Sequence, residues 1–422
     1  MPYINPKEKK EIMNTLSLRS ITSKCLMGCA LLSFVLSLAI VPGRAAFAAS
    51  VTCKSWSIVS SPNPSPYYNH LVGVTAISAN DAWAVGSEIV SVSNDGNTAL
   101  TLTAHWNGTG WKAVASPNAA ASQSYLVAVT AVSARDVWAV GSYASSSSFQ
   151  TLIEHWNGRK WSIVPSPNPS SFNDTLVAVT AISANDVWAV GQYNDTSNHV
   201  LALIEHWNGR TWSVVSGPAP GPGSARFFSV AAVSASDVWV VGSYQPTRRV
   251  LPVQTLTEHW NGTTWQVVAS PDAANSTADS LSSVTRVPDS RTLWAVGSDN
   301  LGFGEPLLEY WNGNSWSIVP NSIPSSRGGS SLSSLVALSA NNVWAVGTTS
   351  NSALPYVGTL IAHWNGTSWN VVSSPNGTGD SSFTSVARVP DTSKLWTVGY
   401  SYFPGGSGSR TFIVSYCPEP RD

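Results

Sequence analysis

Four cysteines, three methionines and a charged fraction of only 11% leave this 422-residue chain short of several common functional devices. The formal net charge is −1 and no basic run occurs, which argues against a nucleic-acid surface. No stretch carries apolar residues at a sustained helical period, so helices are not expected to build the fold. Neither a GxSxG elbow nor an HExxH pair is present, and neither metal nor cofactor is expected.

Residues 1–50 stand apart from the remainder. Lys7, Lys9, Lys10, Arg19 and Lys24 precede the apolar run 25–41, and Ala46-Phe47-Ala48 follows it. This order predicts a secretory signal peptide cleaved near 48/49, or an N-terminal anchor if the segment is retained. The chain is therefore expected to be secreted or extracellular. Cys25 and Cys29 fall in that segment, so residues 51–422 keep Cys53 and Cys417. Two cysteines in an exported chain are expected to form one disulfide.

What the sequence does have is repetition. "WAVG" or a near copy starts at Trp83, Trp138, Trp188, Trp239, Trp294, Trp344 and Trp396, at steps of 50 to 55 residues. "HWNGxxW" follows at His105, His155, His206, His259 and His363, and "YWNGNSW" at Tyr310. The unit 176–218 reads as four short strands, "LVAVTAIS", "VWAVGQY", "LALIEHW" and "TWSVVS". "SAND" makes its first turn, and Asn-Gly, which tolerates positive φ, its third. Four antiparallel strands recurring seven times predict an all-β fold, a seven-bladed β-propeller forming a single domain over 51–422.

All 20 tryptophans fall at three repeated positions, as rings that fill the space between blades should. The last unit lacks a fourth strand, and "SWSIVSSPNP" (55–64) is a spare one. The N-terminal strand is thus expected to complete the last blade and close the ring. Aligned on the other hairpins, Cys417 takes the place of the turn Asn and Cys53 that of the turn Gly.

The unit resembles the kelch type of propeller repeat, of secreted, bacterial type. "WAVGxY" stands where that family's second strand ends in glycines, and "WxxVxSPN" where its fourth strand carries Trp before prolines. The resemblance implies the propeller fold over nearly all of the chain beyond the signal.

Blade topology sorts the loops onto two faces. First turns and third turns are short and uniform; they share one face. There Asp81, Asp136, Asp186 and Asp237 are expected to meet His105, His155, His206 and His259, with His363 in a fifth unit. A site copied in several blades reads as a structural fastening, with Asp and His tying the blade's end. The opposite face carries variable loops, where recognition is expected. Its candidate ligand-binding residues are Tyr67, Tyr68, His70, Tyr125, Phe172, His199, Arg226, Phe227, Arg248 and Arg249.

Off-repeat acids show no clear pair of the kind a propeller glycosidase uses, so no catalytic residue is assigned. The expected function is a non-catalytic binding module on the cell surface or outside the cell, monomeric, with a glycan or cell-surface protein as partner. The alternatives are an extracellular interaction scaffold without a small ligand, and a propeller glycosidase.

Overall fold

The computed structural model describes residues 55–417, apart from 94–95, 121, 147, 219, 248–251, 300–303, 325–328 and 351–355. Segment 1–50, Cys53, Arg248 and Arg249 lie outside the described residues. Within these limits the chain forms 28 strands and no helix.

The third repeat shows why its residues form these elements. It comprises β10 (Asp174–Ser183), β11 (Asp186–Asn194), β12 (Val200–Trp207) and β13 (Trp212–Val214), paired antiparallel in sequence order. Val187 to Gly191 are buried without interruption, as a strand covered on both faces should be. Outer strand β13 buries only Trp212 and leaves Ser213 and Val214 exposed. Cores form between successive sheets. Trp138, Val140 and Ile153 of the second set pack with Leu176, Val187, Leu203 and Trp212 of the third.

Two details depend on glycine. β10 carries a bulge between Leu176 and Ala178 opposite Gly191, and a Cβ at Gly191 would collide with the carbonyl oxygen of Thr175. The same collision awaits the "WAVG" glycine of every set. In the third turn only the glycine takes a positive φ, +90° at Gly209. Asn208 does not share that conformation. Its Oδ1 instead accepts the N–H groups of Arg210 (2.9 Å) and Thr211 (3.0 Å), an Asx turn.

Five four-stranded antiparallel sheets stand separately, and one eight-stranded mixed sheet joins the first and last sets. The first set begins with β2 (Tyr68–Ser78) and β3 (Asp81–Ser91). The last comprises β26 (Ser381–Arg388), β27 (Leu395–Tyr402) and β28 (Ser409–Cys417). A single parallel pairing, Tyr68 with Ser409, links the two. β1 (Ser55–Val59) pairs antiparallel with β28, setting Trp56 opposite Tyr416 and Ser55 opposite Cys417.

The first strands of the sets between are β6 (Ser124–Ser133), β10, β14 (Ser224–Ser234), β18 (Ser280–Arg286) and β22 (Ser330–Ser339). Each contacts the first strand of the next set, and β26 contacts β2. Ring contacts follow the same order. Trp138 packs on Trp207 (5.0 Å) and Trp212 (5.5 Å) of the next set. Trp396 of the last set packs on Trp106 (4.9 Å) and Trp111 (5.2 Å) of the first. Trp344 meets Trp56 and Tyr416, so Tyr416 takes a tryptophan's position.

Candidate functional site

On the face of the uniform turns, the start of each second strand lies beside the end of the third. That register brings His206 Nε2 to 2.8 Å from Asp186 Oδ1. His105–Asp81 and His155–Asp136 have the same spacing, and His259–Asp237 is at 2.9 Å. In the sixth set His363 meets Asn342 instead, also at 2.9 Å. Each of these imidazoles also packs against its "WAVG" tryptophan, as His206 does against Trp188 at 4.2 Å. An Asp–His pair orients an imidazole for base chemistry. Here four such pairs and one Asn–His pair are each held between a turn and a ring.

The opposite face is irregular and, among the described residues, carries an aromatic gathering outside the repeat. At the junction of the last and first sets, His70 stacks on Tyr400 at 4.1 Å and lies 5.9 Å from Tyr402. Tyr68 is 6.5 Å from both His70 and Tyr402. Strand alternation explains the grouping. Tyr68 and His70 are two apart on β2, and Tyr400 and Tyr402 two apart on β27, so each pair shares a face. Burial pulls the His70 imidazole down to about 4, so it is neutral at physiological pH. The Tyr402 hydroxyl is pushed up, chiefly by burial and then by Tyr400, Tyr68 and Asp380. It stays protonated and is a donor.

Beside this cluster opens a cavity of about 790 Å³ lined by Tyr68, Tyr356, Asp380, Tyr402 and Phe403 and floored by the 404–406 turn. The Tyr68 hydroxyl donates to the Gly406 carbonyl at 3.3 Å, and the Arg410 guanidinium sits 5.1 Å from the Phe403 ring. Asp380 is the one carboxylate among the lining residues. Its Oδ1 accepts the Val357 N–H at 2.8 Å, leaving the second oxygen for other donors.

A second cavity, about 560 Å³, opens where β14, β18 and β22 run side by side. Arg226 and the hydroxyls of Ser224, Ser280, Ser282, Ser331 and Ser333 line it. Arg226 occupies the register of His70 and Tyr125: the carbonyl of each faces the "WAVG" glycine of its set. The candidates Tyr68, His70, Tyr125 and Arg226 therefore lie on first strands and not on loops, which corrects the loop assignment. The bulged strands begin earlier than the repeat's hydrophobic pattern announces.

The remaining candidates are scattered. Phe227 is 1% exposed and packs with Trp188, Val240 and Trp265, so it is a core residue and does not lie on the loop face. Alternation decides this, since Arg226 points out where Phe227 points in. His199 is bonded through Nδ1 to Asp195 Oδ2 at 2.8 Å within its own loop. Tyr67 and Phe172 are surface side chains, and Tyr125 lies 6.3 Å from Phe149. Tyr356, Tyr400, Tyr402 and Phe403 escaped the sequence reading. "YSYF" at the end of a strand, with tyrosines on alternate positions, was the available signal.

Four glutamates outside both cavities are buried on third strands: Glu154, Glu205, Glu258 and Glu309. Burial raises each to about 8. They belong to different sets. Among the described residues no three His, Cys, Asp or Glu side chains gather as metal ligands.

No protein-family model matches the chain, and no curated protein matches it. Solved structures do. YCF48 bound to a D1 peptide superposes with a TM-score of 0.50 at 13% identity, covering 86% of this chain and 96% of that one. An ulvan lyase of polysaccharide lyase family PL25, bound to -[GlcA(1-4)Rha3S]-, superposes with a TM-score of 0.53 at 10% identity, covering 82% and 94%. At such identities the likeness concerns the fold, which is that of a β-propeller.

Proposed function

We propose that this chain is a non-catalytic glycan-binding propeller whose site is the aromatic cavity at the junction of the last and first sets. The observation that carries this reading is the grouping of Tyr68, Tyr356, Tyr402 and Phe403 around Asp380 in one open cavity. Aromatic faces stack on the C–H faces of sugar rings, while hydroxyls and a carboxylate take up sugar hydroxyls. With no cation among the lining residues, the site suits neutral sugars. The fold is compatible with such a role, since one structural neighbour holds a glycan and another a peptide.

The supporting architecture is a seven-bladed, kelch-like ring over 51–422, closed by β1 on β28 and clasped by Cys53 and Cys417. The chain is secreted after signal cleavage, or anchored by that segment. The pairing of β1 with β28 and the ring contacts of Trp396 with the first set support closure. Mass spectrometry of the secreted protein tests the clasp; two free thiols would remove it.

A glycan array followed by titration calorimetry tests the binding site. Selective binding of a neutral glycan, weakened at least about tenfold by Tyr402→Ala with the fold intact, is expected. Turnover of any glycoside would replace the binder with a glycosidase. A scaffold reading rests on a separate observation. Ile58, Ile163, Val214, Val267, Ile318 and Val371 recur, exposed, two residues after the outer-strand tryptophans. Absence of any glycan signal, with a protein captured through those outer strands, would favour it.

A further inference from the structure

The link that leaves each fourth strand passes beside the third strand of the next set. At two junctions it caps a buried glutamate. Glu205 Oε2 accepts a hydrogen bond from Ser166 Oγ at 2.8 Å, and Glu309 Oε2 from Ser270 Oγ at 2.7 Å. Both serines stand five residues after the tryptophan that opens the fourth strand. Between the third and fourth sets that position is Gly217. The glutamate there, Glu258 on β16 (Gln254–Trp260), is 1% exposed, and neither oxygen has a hydrogen-bond partner among the described residues.

Beside Gly217 lies a cavity of about 220 Å³, lined by Tyr193, Leu201, Ile204, Val215, Phe227 and Glu258. A Cβ on Gly217 would lie 3.1 Å from Glu258 Oε2, so the carboxyl is aimed where two sister junctions hold a capping hydroxyl. At a third, Ser116 bonds Thr101 instead and Glu154 lacks a partner among the described residues. Pro218 and Pro220 wall the opening. An orphaned carboxyl in an apolar pocket carries a large desolvation penalty unless something supplies donors.

We propose that this cavity binds a small organic cation, an alkylguanidinium or alkylammonium group, with Glu258 as its counter-ion. The two unpartnered oxygens accept the parallel N–H pair of a guanidinium or two protons of an ammonium. The Tyr193 and Phe227 rings in the wall suit a cation, and the aliphatic lining suits its alkyl stem. Without a ligand, burial keeps Glu258 protonated up to about pH 8. Binding near pH 7 therefore expels one proton: the carboxylic acid ionises as the cation enters, and the ligand keeps its own charge.

Titration calorimetry of the full chain with methylguanidinium or n-butylammonium chloride tests this, run near pH 7 in two buffers of different ionisation enthalpy. Saturable one-site binding with release of close to one proton is expected. Affinity should rise about tenfold per pH unit below pH 8. Glu258→Gln keeps the shape and should abolish binding. Gly217→Ser supplies the hydroxyl found at the sister junctions and should weaken it at least about tenfold. No saturable binding of either cation, or binding undiminished in both variants, overturns the proposal. An N-acetyl-Gly-Arg-Gly amide that binds more tightly than methylguanidinium assigns the cation to a polypeptide side chain; a weaker one assigns it to a free small molecule.

Discussion

The imidazole of His70 stacks on the ring of Tyr400 at 4.1 Å, with 24° between the planes, although the two residues lie near opposite ends of the chain. The stack exists because the last and first sets adjoin. It also buries His70 Nε2 without a hydrogen-bond partner among the described residues.

That burial gives a pH signature. His70 titrates near its ordinary 6.5 when unfolded and about 4 when folded, so the unfolded state takes up a proton first as pH falls. The stability His70 confers is present above about 6.5 and is lost as pH drops toward 4. His70→Phe keeps a ring and removes the titration. Chemical denaturation should show the parent losing stability relative to this variant between pH 6.5 and 4; parallel curves would contradict a buried neutral imidazole.

The buried glutamates act with the opposite sign. Glu154, Glu205, Glu258 and Glu309 titrate near 4.5 unfolded and about 8 folded. The folded chain holds protons that the unfolded chain has released, so stability is fully present below about 4.5 and lost as pH rises toward 8. Replacing all four by Gln should flatten that fall. Melting temperatures between pH 5 and 8.5 would measure it, and an unchanged slope would show the carboxyls to be solvated.

Asp186 and His206 allow a sharper comparison, because the sixth set uses Asn342 for the same bond to His363. Asp186→Asn is therefore expected to leave stability within about 0.5 kcal/mol of the parent, while Asp186→Ala loses about 1 kcal/mol. If both variants lose the same amount, the bond depends on the carboxylate charge and not on the acceptor.

Gly191→Ala tests the bulge. The added Cβ meets the Thr175 carbonyl, a backbone atom that cannot swing aside. A loss of at least about 3 kcal/mol, or no folded protein, is expected from equilibrium unfolding. A neutral outcome would mean that β10 can shift its register.

Much of the architecture was legible because it repeats. The spacing of Trp188 to Gly191 recurs in every unit and that of His206 to Trp212 in five, and each residue has a local reason to be there: ring packing, bulge clearance, pairing with Asp186. The Asp–His contact followed from strand order alone, since the start of one strand must lie beside the end of the next. The binding face was less legible. Phe227 and Arg226 are neighbours in sequence, and only the pleat sends one into the core and the other into a cavity. Tyr400 and Tyr402 looked like ordinary strand residues until β27 was set beside β2.

The strands, their order within each sheet and the rings between sheets could all be read from the repeat. These depend on residues close in the chain, whose periods of two and about fifty can be read directly. Which other side chains meet across sheets depends on how the sheets pack. Tyr68 reaches Tyr402, and Glu258 faces the gap left by Gly217, through non-local packing to which no single repeat holds both partners.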